Sequence, residues 1–251
     1  MTEKINVRGV NVDNVNLDEA TEAVREFLTQ DGVHSVFTPN AEIVQACIED
    51  AALCELINSA SLVIPDGAGV VLGAKIIGTP LKAKTPGYDL GLRVAQLAAD
   101  GDIPVYFLGG KPGVAELAYQ KLKETYPALR VVGMHDGYFQ KTGDENEAVV
   151  KAIAESGARI LYVCLGAPTQ EKWITENREK LGDVRVAMGL GGSFDGYAGL
   201  VKRAPDFFIR MRLEWFYRLC KEPRRIGRMM KLPKFVFGTV GYKFKYRKKT
   251  K

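Results

Sequence analysis

Ser61-Leu62-Val63-Ile64-Pro65-Asp66-Gly67 is the stretch that decides the fold. Its apolar run reads as the end of a buried strand. Pro65 stops the pairing, and Asp66 follows at the strand's carboxyl end. Gly67-Ala68-Gly69 then turns the chain into an apolar helix over residues 70–77. In open α/β sheets ligands sit outside the carboxyl ends of the strands, so a carboxylate placed there is a candidate general base. The other reading is that Asp66 only caps the helix that follows it.

On either side of this stretch, strand-like and helix-like segments alternate from about residue 33 to residue 188. That pattern predicts an α/β fold, a mainly parallel sheet with helices on both faces. Residues 5–12 read as a first strand or hairpin arm. Residues 17–28 read as a helix, with Asn16 as cap and Glu19 as its capping-box partner. The strand over residues 33–37 ends in Thr38-Pro39-Asn40, where two hydrogen-bonding side chains flank a rigid proline. Asn40 is a candidate pocket residue or the N-cap of the helix from Ala41. Residues 78–87, with two prolines and Lys82 and Lys84, read as a loop. Gly109-Gly110 and Gly191-Gly192 end two further strands. Such turns can offer backbone N–H groups to phosphate, but neither matches the dinucleotide fingerprint.

The chain has 251 residues, is 46% hydrophobic and 26% charged, and so supports a packed core. Its first residues lack the apolar run of a signal peptide, and no uncharged apolar stretch is long enough for a membrane span. Four cysteines without a CxxC pair read as reduced core residues of a cytosolic protein. The two histidines, His34 and His135, have no ligand neighbour at metal-binding spacing, so no protein-built metal site is expected.

The net charge of +5 is unevenly spread. Residues 202–251 hold 17 Lys/Arg against 3 Asp/Glu, whereas the first 201 residues hold 18 against 27. Composition changes near Leu200, which divides the chain into an α/β domain (residues 1–200) and a basic helical C-terminal appendage (residues 201–251). Aromatics interleaved with lysines and arginines in that appendage suit the headgroup layer of an anionic membrane surface. The same composition stacks on nucleic acid, but no nucleic-acid module accompanies it. A third reading docks the apolar residues on the domain.

Six motifs then converge on one family. They are Thr38-Pro39-Asn40-Ala41-Glu42, Pro65-Asp66-Gly67, Phe107-Leu108-Gly109-Gly110, Gly166-Ala167-Pro168-Thr169-Gln170-Glu171, Gly191-Gly192-Ser193-Phe194-Asp195, and the tail series that runs from Arg203-Ala204-Pro205 through Leu213-Glu214-Trp215 to Glu222-Pro223-Arg224-Arg225. In this order they resemble the WecG/TagA/CpsF family of bacterial glycosyltransferases (glycosyltransferase family 26), over about residues 5–228. The resemblance implies a Rossmann-like sheet and an inverting enzyme that needs no cofactor and no essential metal. The enzyme would be cytoplasmic and peripheral on the inner face of the cell membrane. It would move N-acetylmannosamine or a related sugar from a UDP-sugar donor to an undecaprenyl-diphosphate-linked GlcNAc acceptor, in wall teichoic acid or related polysaccharide synthesis. Other members use UDP-ManNAc uronic acid or glucose.

Carried over motif by motif, the resemblance makes Asp66 the catalytic base and Thr38, Asn40 and Gln170 pocket residues. Arg218, Arg225 and Arg228 would complete the site at the membrane. Lys84 stands where the family usually has arginine, so the charge is kept without the bidentate fork. The leaving diphosphate needs positive charge, from these arginines, Lys84 and the N–H groups of Gly109, Gly110, Gly191 and Gly192. Asp195 joins the substrate-binding set through its motif. Tyr138 or Phe194 is expected to stack on uracil unless packed in the core. Exposed apolar tail helices would also suit a homo-oligomer. Two other functions compete. One is a nucleotide-dependent oxidoreductase, resting on the glycine turns alone, and the other is a non-catalytic protein that binds anionic surfaces.

Overall fold

A computed structural model describes residues 2–201, 205, 208 and 231–247 of the chain. A hairpin opens it, β1 (Lys4–Val7) paired antiparallel with β2 (Val10–Asp13). Helix α1 (Leu17–Phe27) follows, with the predicted capping box between Asn16 and Glu19. Six strands then form the main sheet: β3 (His34–Phe37), β4 (Leu62–Val63), β5 (Val105–Gly109), β6 (Val131–His135), β7 (Ile160–Cys164) and β8 (Val186–Gly189). Their order is β4-β3-β8-β7-β5-β6, and every pairing is parallel. All residues of β5, β7 and β8 are buried, as expected of parallel strands covered on both faces.

The covering helices are α2 (Ala41–Glu49), α3 (Ala51–Asn58), α4 (Gly67–Ile77), α5 (Gly87–Asp100), α6 (Val114–Thr125), α7 (Gly143–Glu155), α8 (Thr169–Asn177), α9 (Ser193–Tyr197) and α10 (Lys231–Arg247). One core joins the hairpin, α2, α3, α4, α7, α8 and α10 through Val7, Val44, Ile57, Val70, Val149, Trp173 and Phe235. The other joins α1, α5, α6 and α9 on the opposite face, through Val24, Val94, Ala118 and Phe194. The α/β architecture read from the sequence is therefore the one observed. Helix α3 was not anticipated. Asp50 ends α2 in an extended conformation, and its side chain then accepts the Leu53 N–H at 3.0 Å to start α3.

Two features fix the edge of the sheet that carries Asp66. Strand β4 has only two residues, and among the described residues no further strand pairs with its outer edge. Asp13, 1% exposed, supplies the missing acceptor, taking the Val63 N–H at 2.8 Å. Thr2 donates to the same carboxylate. Helix α10 then closes over α4. A Cβ at Gly73 would lie 2.6 Å from Phe235 Cζ, and one at Gly69 would lie 2.7 Å from Ala41 Cβ and 2.8 Å from Leu232 Cδ1, so glycine lets α10 approach α4 this closely. The last described helix thus shares a core with the α/β domain.

Asp13→Ala strands the buried Val63 N–H. The substitution should cost about 1–3 kcal/mol in urea unfolding of the full chain.

Candidate active site

The described functional candidates gather at the carboxyl ends of the strands. Connections leave β5 and β7 in opposite directions along the sheet, toward β6 and toward β8. Such a divergence opens a crevice at the strand ends.

Asp66 and Asn40 occupy equivalent places, each just before a helix. They behave differently. Asn40 Oδ1 accepts the N–H groups of Glu42 and Ile43, at 2.9 and 3.1 Å, so its capping role is real. The cap uses Oδ1 alone and leaves the Nδ2 donors outside it. Asp66 has extended N-cap backbone, but its side chain makes no capping hydrogen bond to α4. A Cβ at Gly67 would lie 3.9 Å from Asn40 Cβ, which places the Asp66–Gly67 turn against Asn40.

Thr38 is buried, and its hydroxyl donates to Gly189 O at 3.0 Å, tying the end of β3 to the end of β8. A Cβ at Gly87 would approach Thr38 Cγ2 to 2.9 Å, so α5 also begins here. The loop between α4 and α5 is tied down before it reaches that point. The Thr85 N–H donates to Pro65 O at 2.9 Å, and the fully buried Thr85 hydroxyl donates to Val15 O at 2.9 Å. These bonds hold half-buried Lys84 next to the Pro65-Asp66 turn.

Gln170 lies in the first turn of α8, is 2% exposed and has both ends of its amide engaged. Its Oε1 accepts the Gly191 N–H at 2.9 Å, and its Nε2 donates to Glu171 Oε1 at 2.9 Å. Burial pushes the Glu171 carboxyl up from its ordinary value. Glu171 was quoted in the sequence motif without a role. The adjacent Gln-Glu pair opening a helix was the available signal.

On the other side of the crevice, the Gly109 backbone passes so close to β7 that a Cβ would lie 2.4 Å from Cys164 O. The Gly110 N–H donates to Cys164 O at 3.1 Å, and the Gly137 N–H donates to Gly110 O at 2.8 Å. The N–H groups of Gly110 and Gly191 are therefore spent inside the fold. Tyr138 follows Gly137 and is 70% exposed at the strand-end face. Phe194 is 1% exposed and packs 4.8 Å from the Phe107 ring, so it belongs to the core. Asp195 is half-buried in the first turn of α9, and a Cβ at Gly192 would lie 3.7 Å from its Oδ2. Burial pushes the Cys47 and Cys164 thiols up to about 12, which makes both poor nucleophiles. Among the described residues no three His, Cys, Asp or Glu side chains converge as a metal site.

Comparison with known proteins adds one decisive observation. The sequence model of the glycosyl transferase WecG/TagA/CpsF family matches residues 5–249. The chain belongs to this family.

Members with similar sequences include a Bacillus spizizenii protein, 39% identical over 210 residues that cover 84% of this chain and 80% of the relative. A Bacillus subtilis protein is 36% identical over 200 residues, covering 80% and 76%. A Staphylococcus aureus protein is 33% identical over 249 residues, covering 98% and 96%. Each is named N-acetylglucosaminyldiphosphoundecaprenol N-acetyl-beta-D-mannosaminyltransferase. In this WecG/TagA/CpsF chain Thr38, Asn40, Asp66, Lys84, Gln170, Gly191, Gly192 and Asp195 come from the β3, β4 and β8 ends and the segments tied to them. Gly109, Gly110 and Tyr138 lie across the crevice. Arg218, Arg225 and Arg228 fall outside the described residues.

Asn40→Ala removes a cap seen in the structure. It should lower unfolding stability by about 1 kcal/mol, measured by urea titration, whatever its effect on activity.

Proposed function

We propose that this protein transfers N-acetylmannosamine from UDP-ManNAc to undecaprenyl-diphosphate-linked GlcNAc. The anomeric centre inverts and a β-1,4 linkage forms, in wall teichoic acid or related surface polysaccharide synthesis. The observation that carries this reading is the relatives' shared name, in one case over 98% of the chain.

The chemistry follows from the strand ends. An inverting transfer needs one base to take the proton of the attacking GlcNAc hydroxyl as the sugar–oxygen bond forms and the bond to UDP breaks. Asp66 is assigned that role. It projects from a strand end without serving as a cap, beside Asn40 and the Lys84 loop. The departing diphosphate gains negative charge, which Lys84, Arg218, Arg225 and Arg228 are assigned to balance. Tyr138 is assigned to uracil, since an exposed ring at the crevice mouth can stack on a base.

The acceptor lipid would meet the site at an anionic membrane surface. No helix among the described residues is long and apolar enough to cross a membrane. Helix α10 carries five Lys/Arg and no acidic residue. Phe235 and Thr239 face inward, while Phe237 and Phe244, 77% and 64% exposed, share the opposite side with Val240. That outer stripe, flanked by cations, suits the boundary of headgroups and acyl chains. A second copy of the chain is the competing occupant. The double variant Phe237→Ser/Phe244→Ser should lose most sedimentation with anionic vesicles and stay folded. Unchanged sedimentation, or a concentration-dependent oligomer broken by the variant, would reassign the stripe.

UDP release tests the reaction, using the full chain, a short-chain GlcNAc-diphosphate lipid and EDTA. UDP-ManNAc, UDP-ManNAc uronic acid, UDP-GlcNAc and UDP-glucose are supplied in turn. Acceptor-dependent release from UDP-ManNAc is expected, and Asp66→Ala should lower it by about 10²–10⁴-fold. Release from another donor alone would change the assigned sugar. An Asp66→Ala variant with full activity would remove Asp66 as the base.

A further inference from the structure

Glu171 carries the one buried carboxyl oxygen among the described residues that has no hydrogen-bond partner, and neither the fold nor the proposed reaction accounts for it. The residue is 1% exposed, and no cation pairs with it among the described residues. A buried polar atom left unpaired is costly, and the carboxyl's other oxygen is the one that has a partner.

That oxygen is the end of a chain of contacts leading to the site. The Gly191 N–H can only donate, which forces Gln170 to turn Oε1 toward it, at 2.9 Å. Gln170 Nε2 is then left facing Glu171 and requires an acceptor, which Glu171 Oε1 provides at 2.9 Å. Gly189 sits against the same amide, since a Cβ there would lie 2.9 Å from Gln170 Nε2. Gly189 O is in turn the acceptor for Thr38 Oγ1. Leu190 N–H, between the two glycines, donates to Val163 O at 2.9 Å.

We infer that Glu171 is a positioning residue: it fixes the orientation of the Gln170 amide, and through it the Gly189–Gly191 turn that underlies the site beside Thr38. The task requires an acceptor oxygen, not a negative charge. Burial favours the uncharged carboxyl, whose carbonyl oxygen accepts a hydrogen bond as a glutamine's does. Glutamine at this position keeps the chain intact, and methionine fills a similar volume with no comparable acceptor.

The inference rests on the transferase reading for its kinetic arm only, so the test begins with a readout independent of activity. Amide exchange at Gly191 is followed by NMR in the wild type, Glu171→Gln and Glu171→Met. Exchange should speed up about fivefold or more in Glu171→Met and stay at the wild-type rate in Glu171→Gln. In UDP release, kcat should fall about ten- to hundredfold in Glu171→Met at nearly constant donor KM, and stay within about threefold in Glu171→Gln. Adding Glu171→Met to Gln170→Ala should cost little more than Gln170→Ala alone, because the two residues act in series.

Equal protection of Gly191 in all three proteins would overturn the inference. So would Glu171→Gln exchanging as fast as Glu171→Met, or full additivity with Gln170→Ala. Glu171→Leu repeats the arm should the methionine variant fail to fold, and Glu171→Gln is read independently of both. If Gly191 exchange follows expectation but even the wild type releases no UDP, the positioning role stands and the transferase reading fails.

Discussion

The register of β3 against its two neighbours is the constraint on which the site depends. Val36 lies opposite Leu62 on one side and Met188 on the other. Adjacent strands are about 4.8 Å apart, so three strand ends are held within about 10 Å of one another. One residue beyond the ladder, Thr38 finds Gly189, and the Ile64 N–H donates to Phe37 O at 3.0 Å just before Pro65 ends the pairing. A slip of one residue in either ladder would turn side chains to the other face of the sheet and part these groups. The edge position of β4 makes that slip cheapest there, which gives the Asp13 tie its importance.

Asn40 and Asp66 illustrate how a strand-end loop divides its labour. Both precede helices, and both residue types are favoured caps. Asn40 commits its oxygen to α2 and so becomes a fixed wall. Asp66 leaves the first turn of α4 without a side-chain cap, a local concession in helix stability at the strand end. The glycine turns divide in a similar way. Gly110 and Gly191 spend their N–H groups on Cys164 and Gln170, so their contribution is backbone shape.

The sheet was legible because its strands are short apolar runs separated by helical periods. The strand-end placement of the described candidate residues was legible because their motifs stop where those runs stop. Pro65-Asp66-Gly67 shows both at once. The rest was hidden for physical reasons. The break between α2 and α3 rests on one extended residue, Asp50, and the apolar spacing around it runs on without a glycine or proline to mark the change. Phe194 reads as a ring near a glycine turn, and only the packing of Phe107 against it shows that it faces the core. Whether Asp66 caps its helix depends on a side-chain rotation that no spacing encodes. The roles of Gln170 and Glu171 depend on which end of an amide faces a backbone N–H across the fold.

The seating of α10 has a further consequence, for the birth of the protein. Arg8 donates to the carbonyl of Gly238, 230 residues along the chain, and its guanidinium lies 4.9 Å from the Tyr242 ring. Hairpin and helix thus close on α4 from far ends of the sequence, and contacts of such span form late. Until residues 231–247 emerge from the ribosome, the furrow along Gly69 and Gly73 has no helix to cover it. The nascent chain passes through an interval in which its own covering helix does not yet exist, and transiently exposed apolar surface of this kind favours aggregation.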